Sequence, residues 1–176
     1  PSIGALPEAV DLACIMIPDK AVPDAIAECG AKGIRTAIVY TSGFSETGAE
    51  GKARQEEMMA NARRYGVHIC GPNTVGTVNS IARTTTAFGM AFEAETVPTG
   101  DISFVTQSGA LGGSLLSRMW AQGIGFARWI RTGNEADLTL ADYLLYLADD
   151  PATKVIALFL ESIRDPATFR LACERA

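Results

Sequence analysis

The sequence predicts a doubly wound α/β protein made of two consecutive parallel-sheet units. Three observations predict it. Short, nearly continuous apolar runs recur along the chain, as strands buried in a parallel sheet do. Segments of helical period separate them, as right-handed crossovers require. Small, polar, Gly-containing loops follow several of the runs, at the carboxyl edge where open α/β sheets bind ligands. The chain has 176 residues, 48% of them hydrophobic, enough for one large core or two small ones.

Residues 10–17 form the first apolar run, read as a strand buried on both faces and ended by Pro18-Asp19. A helix follows, with Pro23 in its first turn, Val22, Ile26 and Cys29 at helical spacing, and Gly30 and Gly33 closing it. Residues 34–40 give the second strand. A loop at 41–46 leads into a charge-rich helix over 51–65, and residues 67–70 give a third short strand. Gly71-Pro72-Asn73 and Gly76 break the pattern. The stretch 79–100 is rich in Thr, Ala and Gly without helical period, and a boundary is placed near Pro98-Thr99-Gly100.

The second series reads strand 102–106, helix 109–122, strand 125–130, helix 138–147 with Asp137 as its cap, strand 155–160 and a helix from Pro166. The expected division is therefore 1–98 and 99–176. Three strands are few for a doubly wound domain, which commonly has five or six, so both units are expected to be truncated. The opening Pro1-Ser2-Ile3-Gly4 has neither methionine nor a signal peptide's basic and apolar regions, which leads us to expect sequence upstream.

Composition narrows the function classes. A net charge of −5 disfavours a nucleic-acid-binding face, and no apolar run approaches the roughly 18 residues of a membrane-spanning helix. The four cysteines show no C-x-x-C spacing and are read as buried thiols in a reducing cytosol, and the single histidine, His68, allows no His-rich metal site. No G-x-G-x-x-G follows a strand, which disfavours a nicotinamide-dependent dehydrogenase.

Candidate chemistry lies at strand ends. The run 102–106 enters the turn Gln107-Ser108-Gly109-Ala110 and then a helix, an arrangement that presents the N–H groups of Ser108, Gly109 and Ala110 to an anion. Ser108 as a plain helix cap is the competing reading. A nucleophilic serine fits poorly, because residue 106 is Thr where a G-x-S-x-G elbow has Gly, and His68 precedes the serine. The loops Thr41-Ser42-Gly43-Phe44-Ser45-Glu46 and Gly71-Pro72-Asn73 end consecutive strands and suggest one shared crevice, which Asn134 of the loop 132–137 would also face; ordinary loops are the alternative. Glu161 follows the run 155–160 and should emerge beside the Ser108 turn, orienting a protonated partner or simply solvated.

Taken in order, the 10–13 strand, Thr41-Ser42-Gly43-Phe44-Ser45-Glu46, Gly71-Pro72-Asn73, Gln107-Ser108-Gly109, Gly133-Asn134-Glu135-Ala136-Asp137 and Asp150-Pro151-Ala152-Thr153-Lys154 resemble the α-subunit-like part of the succinyl-CoA synthetase superfamily. The branch they resemble is the NDP-forming, in particular ADP-forming, acyl-CoA synthetases. The resemblance implies a Rossmann-like CoA-binding unit followed by a flavodoxin-like ligase unit. Such enzymes join a small carboxylic acid to CoA through an acyl phosphate, with a phosphohistidine exchanging the phosphoryl group with ATP/ADP and Mg²⁺ on an ATP-grasp domain or β subunit.

By resemblance, Ser42, Gly43, Phe44 and Glu46 lie beside CoA, and Gly71, Pro72 and Asn73 face its acyl end. Ser108, Gly109 and Ala110 hold the phosphoryl group, and Glu161 steadies the phosphohistidine. The family's active histidine lies beyond the matched region, His68 does not align with it, and the Gly-rich turn for the CoA phosphates would precede Pro1. The implied protein is cytoplasmic and oligomeric, and this chain alone is expected to be inactive. A CoA-binding regulatory or scaffold module, as in a protein lysine acyltransferase, is the alternative.

Overall fold

The computed structural model describes residues 2–89 and 98–176, and the chain divides into two compact units. The first comprises residues up to Thr74 together with Asn134–Leu138, and the second comprises Val75–Gly133 and Thr139–Ala176.

In the first unit three parallel strands, β1 (Ala13–Ile15), β2 (Thr36–Val39) and β3 (His68–Cys70), lie in the order β1-β2-β3. Ala13 pairs with Ala37, and Ile38 with Cys70. Helix α1 (Val22–Lys32) has Pro23 in its first turn and buries Val22, Ile26 and Cys29, one face of a 3.6-residue period. Helix α2 (Ala49–Tyr65) is polar overall but buries Met58, Met59 and Ala62 on the side facing the core. These side chains close on Phe44, Ile69 and Val39, and each fully buried one contributes roughly 1.5–3 kcal/mol of apolar transfer.

Two expectations change here. The first strand is Ala13–Ile15, shorter than 10–17, because among the described residues β1 has only β2 beside it and leaves Val10, Met16 and Ile17 exposed at the sheet edge. Of the four free cysteines, Cys29 and Cys70 are buried while Cys14 and Cys173 are exposed. Cys14 sits on the edge strand β1, and Cys173 lies near the end of the helix Pro166–Arg175. Burial pushes the Cys29 thiol up, and the neighbouring Glu28 carboxylate adds to the effect.

The second unit is built on a five-stranded sheet in the order β5-β4-β7-β6-β8. Strands β6 (Thr99–Thr106), β7 (Phe126–Arg131) and β8 (Val155–Phe159) are parallel, as the βα series predicts. Strands β4 (Thr77–Asn79) and β5 (Thr84–Thr85) extend the sheet in antiparallel fashion, β4 pairing with β7. β4 ends where the stretch read as patternless begins and β5 lies within it, and strands of three and two residues are too short to show a period. Residues 90–97 of that stretch lie outside the described residues.

Alternation sorts the core of this unit onto two faces of the sheet. Phe104 and Trp129 pack with Leu116 of α3 (Gly109–Ala121), while their neighbours Val105 and Ile130 pack with Leu140 and Leu147 of α4 (Leu140–Ala148). Helix α4 begins with a capping box in which Asp142 accepts from the Thr139 N–H at 2.7 Å. Asp137 is thus not its cap, and has another task. Asp165 caps α5 (Pro166–Arg175) by accepting from the N–H groups of Ala167 and Thr168.

Candidate functional site

In the first unit the loops after β2 and β3 are held by one another and by the segment 134–138. The Asn73 N–H donates to the Thr41 carbonyl at 2.9 Å, and the Thr41 hydroxyl donates to the Ile17 carbonyl at 2.7 Å. Segment 134–138 then runs along the second loop. The Asn134 N–H donates to the Pro72 carbonyl and the Ala136 N–H to that of Gly71. Asp137 accepts from the Ile69 N–H at 2.8 Å and meets His68 Nδ1 at 3.2 Å, which gives His68 a structural role at the start of β3.

The Glu46 carboxylate organises the 41–46 loop. One of its oxygens, Oε1, accepts from the N–H groups of Gly43 and Phe44, and the other, Oε2, accepts from the Asn134 side-chain amide. Partial burial pushes this carboxyl up. The hydrogen bonds from Asn134, Gly43, its own N–H and Phe44 outweigh that effect, and hold it below the usual carboxylate range. On the other side of the same peptide, Arg54 of α2 donates to the Gly43 carbonyl.

Two glycines are obligatory for steric reasons. Gly43 has φ +102°, and a Cβ there would come within 2.9 Å of the Asp19 carboxylate. Gly71 has φ +105°, and its Cβ would stand 2.6 Å from the Val39 carbonyl. Among the sequence-predicted residues, Ser42 is exposed, Gly71 and Pro72 are buried, and Asn73 is half-buried. Phe44 is completely buried in the core, so its side chain is structural and only its backbone is left to meet a ligand.

In the second unit the predicted turn caps its helix as the competing reading holds. The Ser108 hydroxyl accepts from the Leu111 N–H at 3.4 Å, and the Ser108 N–H donates to Thr106 Oγ1 at 3.1 Å. That leaves the N–H groups of Gly109 and Ala110 without a hydrogen-bond partner among the described residues. The Arg131 guanidinium lies against the Gly109 α-carbon, 3.0 Å from where a Cβ would stand, and adds positive charge at the positive end of α3. An anion fits this donor set, whether or not Ser108 also caps.

Gln107 is the residue that sequence reasoning missed in this turn. Its side-chain carbonyl accepts from the N–H groups of Glu161 and Ser162 at 2.6 and 3.0 Å, and its amide donates to the Ser162 carbonyl at 2.8 Å. The Glu161 backbone is therefore tied to the residue next to Ser108, with its side chain exposed. A glutamine between a strand and a cap carries no periodic signal; its position directly before the cap was the one hint.

Parallel strands ending in small-residue loops, and a strand running into a helix with open N–H groups, define the class of doubly wound α/β ligand-binding proteins. Comparison with known proteins narrows it. Residues 1–80 match the family described as CoA binding domain, and residues 99–176 match the succinyl-CoA ligase like flavodoxin domain. The chain is 40% identical to the acetate–CoA ligase [ADP-forming] II subunit alpha of Pyrococcus furiosus, over 96% of this chain and 36% of that one. It is also 40% identical to the acetate–CoA ligase [ADP-forming] I of Archaeoglobus fulgidus, over 96% of this chain and 24% of that one.

A solved structure of the dinucleotide forming acetyl-coenzyme A synthetase 1 of Ca. Korarchaeum cryptofilum, in complex with phosphate and ADP, matches with a TM-score of 0.89 at 35% identity. That match covers 99% of this chain and 36% of the other. The chain belongs to the NDP-forming acyl-CoA synthetase family of the succinyl-CoA synthetase α-subunit-like superfamily. It spans only about a quarter to about a third of the length of the two curated relatives named here. Among the described residues, no helix is long and apolar enough to cross a membrane.

Proposed function

We propose that the chain is the CoA-binding part and the first portion of the ligase part of an ADP-forming acid–CoA ligase, with residues 1–98 as the former module and 99–176 as the latter. The observation that carries the reading is the α3 N-terminus, where the Gly109 and Ala110 N–H groups open beside Arg131 and Gln107 ties down the Glu161 backbone. In the complete enzyme, ATP with Mg²⁺ on an ATP-grasp domain or β subunit supplies the phosphoryl group, and CoA supplies the thiol that ends on the acid. This chain contributes binding and positioning.

Gly109 and Ala110, with Ser108 fixing the turn, bind phosphoryl oxygens as they develop charge. Glu161 orients the histidine that carries the phosphoryl group, a histidine supplied from outside these residues. Ser42, Gly43, Phe44 and Glu46 present a small, uncrowded loop to CoA, with Phe44 acting through its backbone, and Gly71, Pro72 and Asn73 shape the acyl end. A small carboxylic acid, a cytoplasmic location and an oligomeric assembly complete the reading. The curated relatives named above carry ligase names, which does not favour a CoA-binding scaffold without ligase activity.

The test is to incubate the intact parent protein with γ-labelled ATP and Mg²⁺ and look for an acid-labile, base-stable phosphoprotein. Label that ADP discharges, or that an acid plus CoA discharges, is the expected result, and the acid that works names the substrate. CoA binding without any label would reduce the protein to a CoA-binding scaffold.

A further inference from the structure

One side chain bridges all three polar segments of the first unit. Asn134 is fixed by its own backbone, whose N–H donates to the Pro72 carbonyl at 2.9 Å. From that anchor the two hydrogens of its Nδ2 are shared among Glu46 Oε2, Gln55 Oε1 at 3.3 Å and Ser45 Oγ at 3.4 Å, while its Oδ1 accepts from Asn73 Nδ2 at 3.3 Å. Glu46 passes the constraint on, because its other oxygen accepts from the Gly43 and Phe44 N–H groups. Arg54 grips the Gly43 carbonyl from the other side, and itself meets Asp19 at 2.7 Å and Glu50 at 3.0 Å.

We propose that Asn134 is the positioning residue of the CoA loop: by holding the Glu46 carboxylate it fixes the Gly43 and Phe44 peptides, and with Asn73 it sets the spacing of loops 41–46 and 71–73. The inference rests on the reading that these loops receive CoA. An amide suits this post because it donates to one carboxylate and accepts from a second amide at once, which neither Asp nor a hydrophobic residue does. Glu46 alone has no rigid partner of this kind. It sits on an exposed turn, and without Asn134 its side chain is free to swing into water and release both N–H groups.

Two readouts on the intact parent protein test this: CoA affinity by titration calorimetry, and hydrogen exchange of the Gly43 and Phe44 amides by NMR. Asn134→Ala should weaken CoA about tenfold, the loss expected of one charge-assisted hydrogen bond, and speed exchange at those two amides to a similar degree, with α1 and β2 unchanged. Asn134→Asp should do worse, because two carboxylates then face each other. The double variant Glu46→Gln with Asn134→Asp restores donor and acceptor in exchanged places, and should recover slow exchange at the Gly43 and Phe44 amides to within about threefold of wild type.

Unchanged affinity and unchanged exchange in a folded Asn134→Ala overturn the proposal. If Asn134→Ala fails to fold, the double variant decides, and its failure to recover protection at Gly43 and Phe44 overturns the proposal equally. If the wild-type parent protein does not bind CoA, the CoA reading is what fails. Exchange alone then judges Asn134, faster exchange at the two amides upholding its hold on the loop and unchanged exchange overturning it.

Discussion

Arg54 of α2, whose side chain is only 12% exposed, meets Asp19 at 2.7 Å, and its guanidinium also donates to the Gly43 carbonyl and reaches Glu50. Arg54→Met should lower unfolding stability by about 1.5–3 kcal/mol, because it strands Asp19 and a loop carbonyl together. Arg54→Lys should recover only part of this, since a compact ammonium replaces a planar group whose Nη1 serves Asp19 and the Gly43 carbonyl while its Nη2 serves Glu50. Glu50→Ala, which removes a largely exposed partner, should cost less than about 0.5 kcal/mol. Urea denaturation of the three variants is the check.

In the second unit Asp150 is 6% exposed and pairs with Arg128 at 3.3 Å. It also accepts from the Ala152 N–H and from the Thr153 hydroxyl, which in turn meets Ser103 at 2.8 Å. Asp150→Ala leaves a buried guanidinium unpaired and should cost about 3–5 kcal/mol. Asp150→Leu combined with Arg128→Met should cost clearly less than the single change, as a thermal-melting comparison would reveal.

Gly71→Ala should be among the most damaging small substitutions in the first unit. It forces an L side chain to φ +105° and drives its Cβ to 2.6 Å from the Val39 carbonyl, for a combined cost of roughly 2–4 kcal/mol. Calorimetric melting should register the loss, and CoA affinity should fall with it, because Gly71 and Pro72 accept the bonds that place 134–136.

Much of this was legible in the sequence, for reasons that individual residues make plain. Val22, Ile26 and Cys29 announced α1 through spacing, and the runs around Ile38 and Val105 announced strands because both of their faces are covered. β4 and β5 were not legible: a strand of three residues pairing with one about fifty positions later, Val78 with Trp129, is a tertiary choice that no local pattern carries. Asp137 shows the same limit within the site. It stands where a cap is expected by local rules, but Thr139 and Asp142 form the cap, and Asp137 serves the Ile69 N–H across the fold. The positions of loops 41–46 and 71–73 at strand ends were foreseeable, whereas their clasp by Asn134 depends on side-chain geometry.

Acid should loosen both units by one mechanism. Glu46 is held below the usual carboxylate range by its hydrogen bonds, against the opposing push of burial, with Arg54, Asp19 and Glu50 as the charged groups nearest its loop. Asp165 is held low by the Thr168 hydroxyl first and then by the N–H groups of Thr168 and Ala167. A carboxyl whose folded-state pKa is depressed contributes stability that is complete above its unfolded value and is lost as pH falls through its folded one. Stability should therefore decline on the acid side, from about pH 5 downward, and Glu46→Gln should flatten that decline. A series of urea midpoints against pH measures it.

Gln107→Ala should test the proposed phosphoryl site of the second unit. Without the Gln107 side chain, the Glu161 and Ser162 N–H groups lose their acceptor, and the turn that presents Glu161 loses its tether. In the intact parent protein the rate of phosphoprotein labelling should drop about ten- to a hundredfold, the scale of a small misplacement, while CoA affinity stays at the wild-type level.

The first unit draws residues from two separated stretches of chain, and this gives its assembly an order in time. A ribosome must add roughly sixty residues after Thr74 before it reaches Asn134, a wait of roughly three to twelve seconds at ordinary elongation speeds. Through that interval the Ile69 N–H and the Gly71 and Pro72 carbonyls have only water to bond, and the Glu46 loop has no clasp. A nascent chain halted before residue 134 should thus carry its three strands and two helices but remain open to proteolysis at 41–46 and 71–73. Protection of those two loops would date the moment at which the last five residues slot into place.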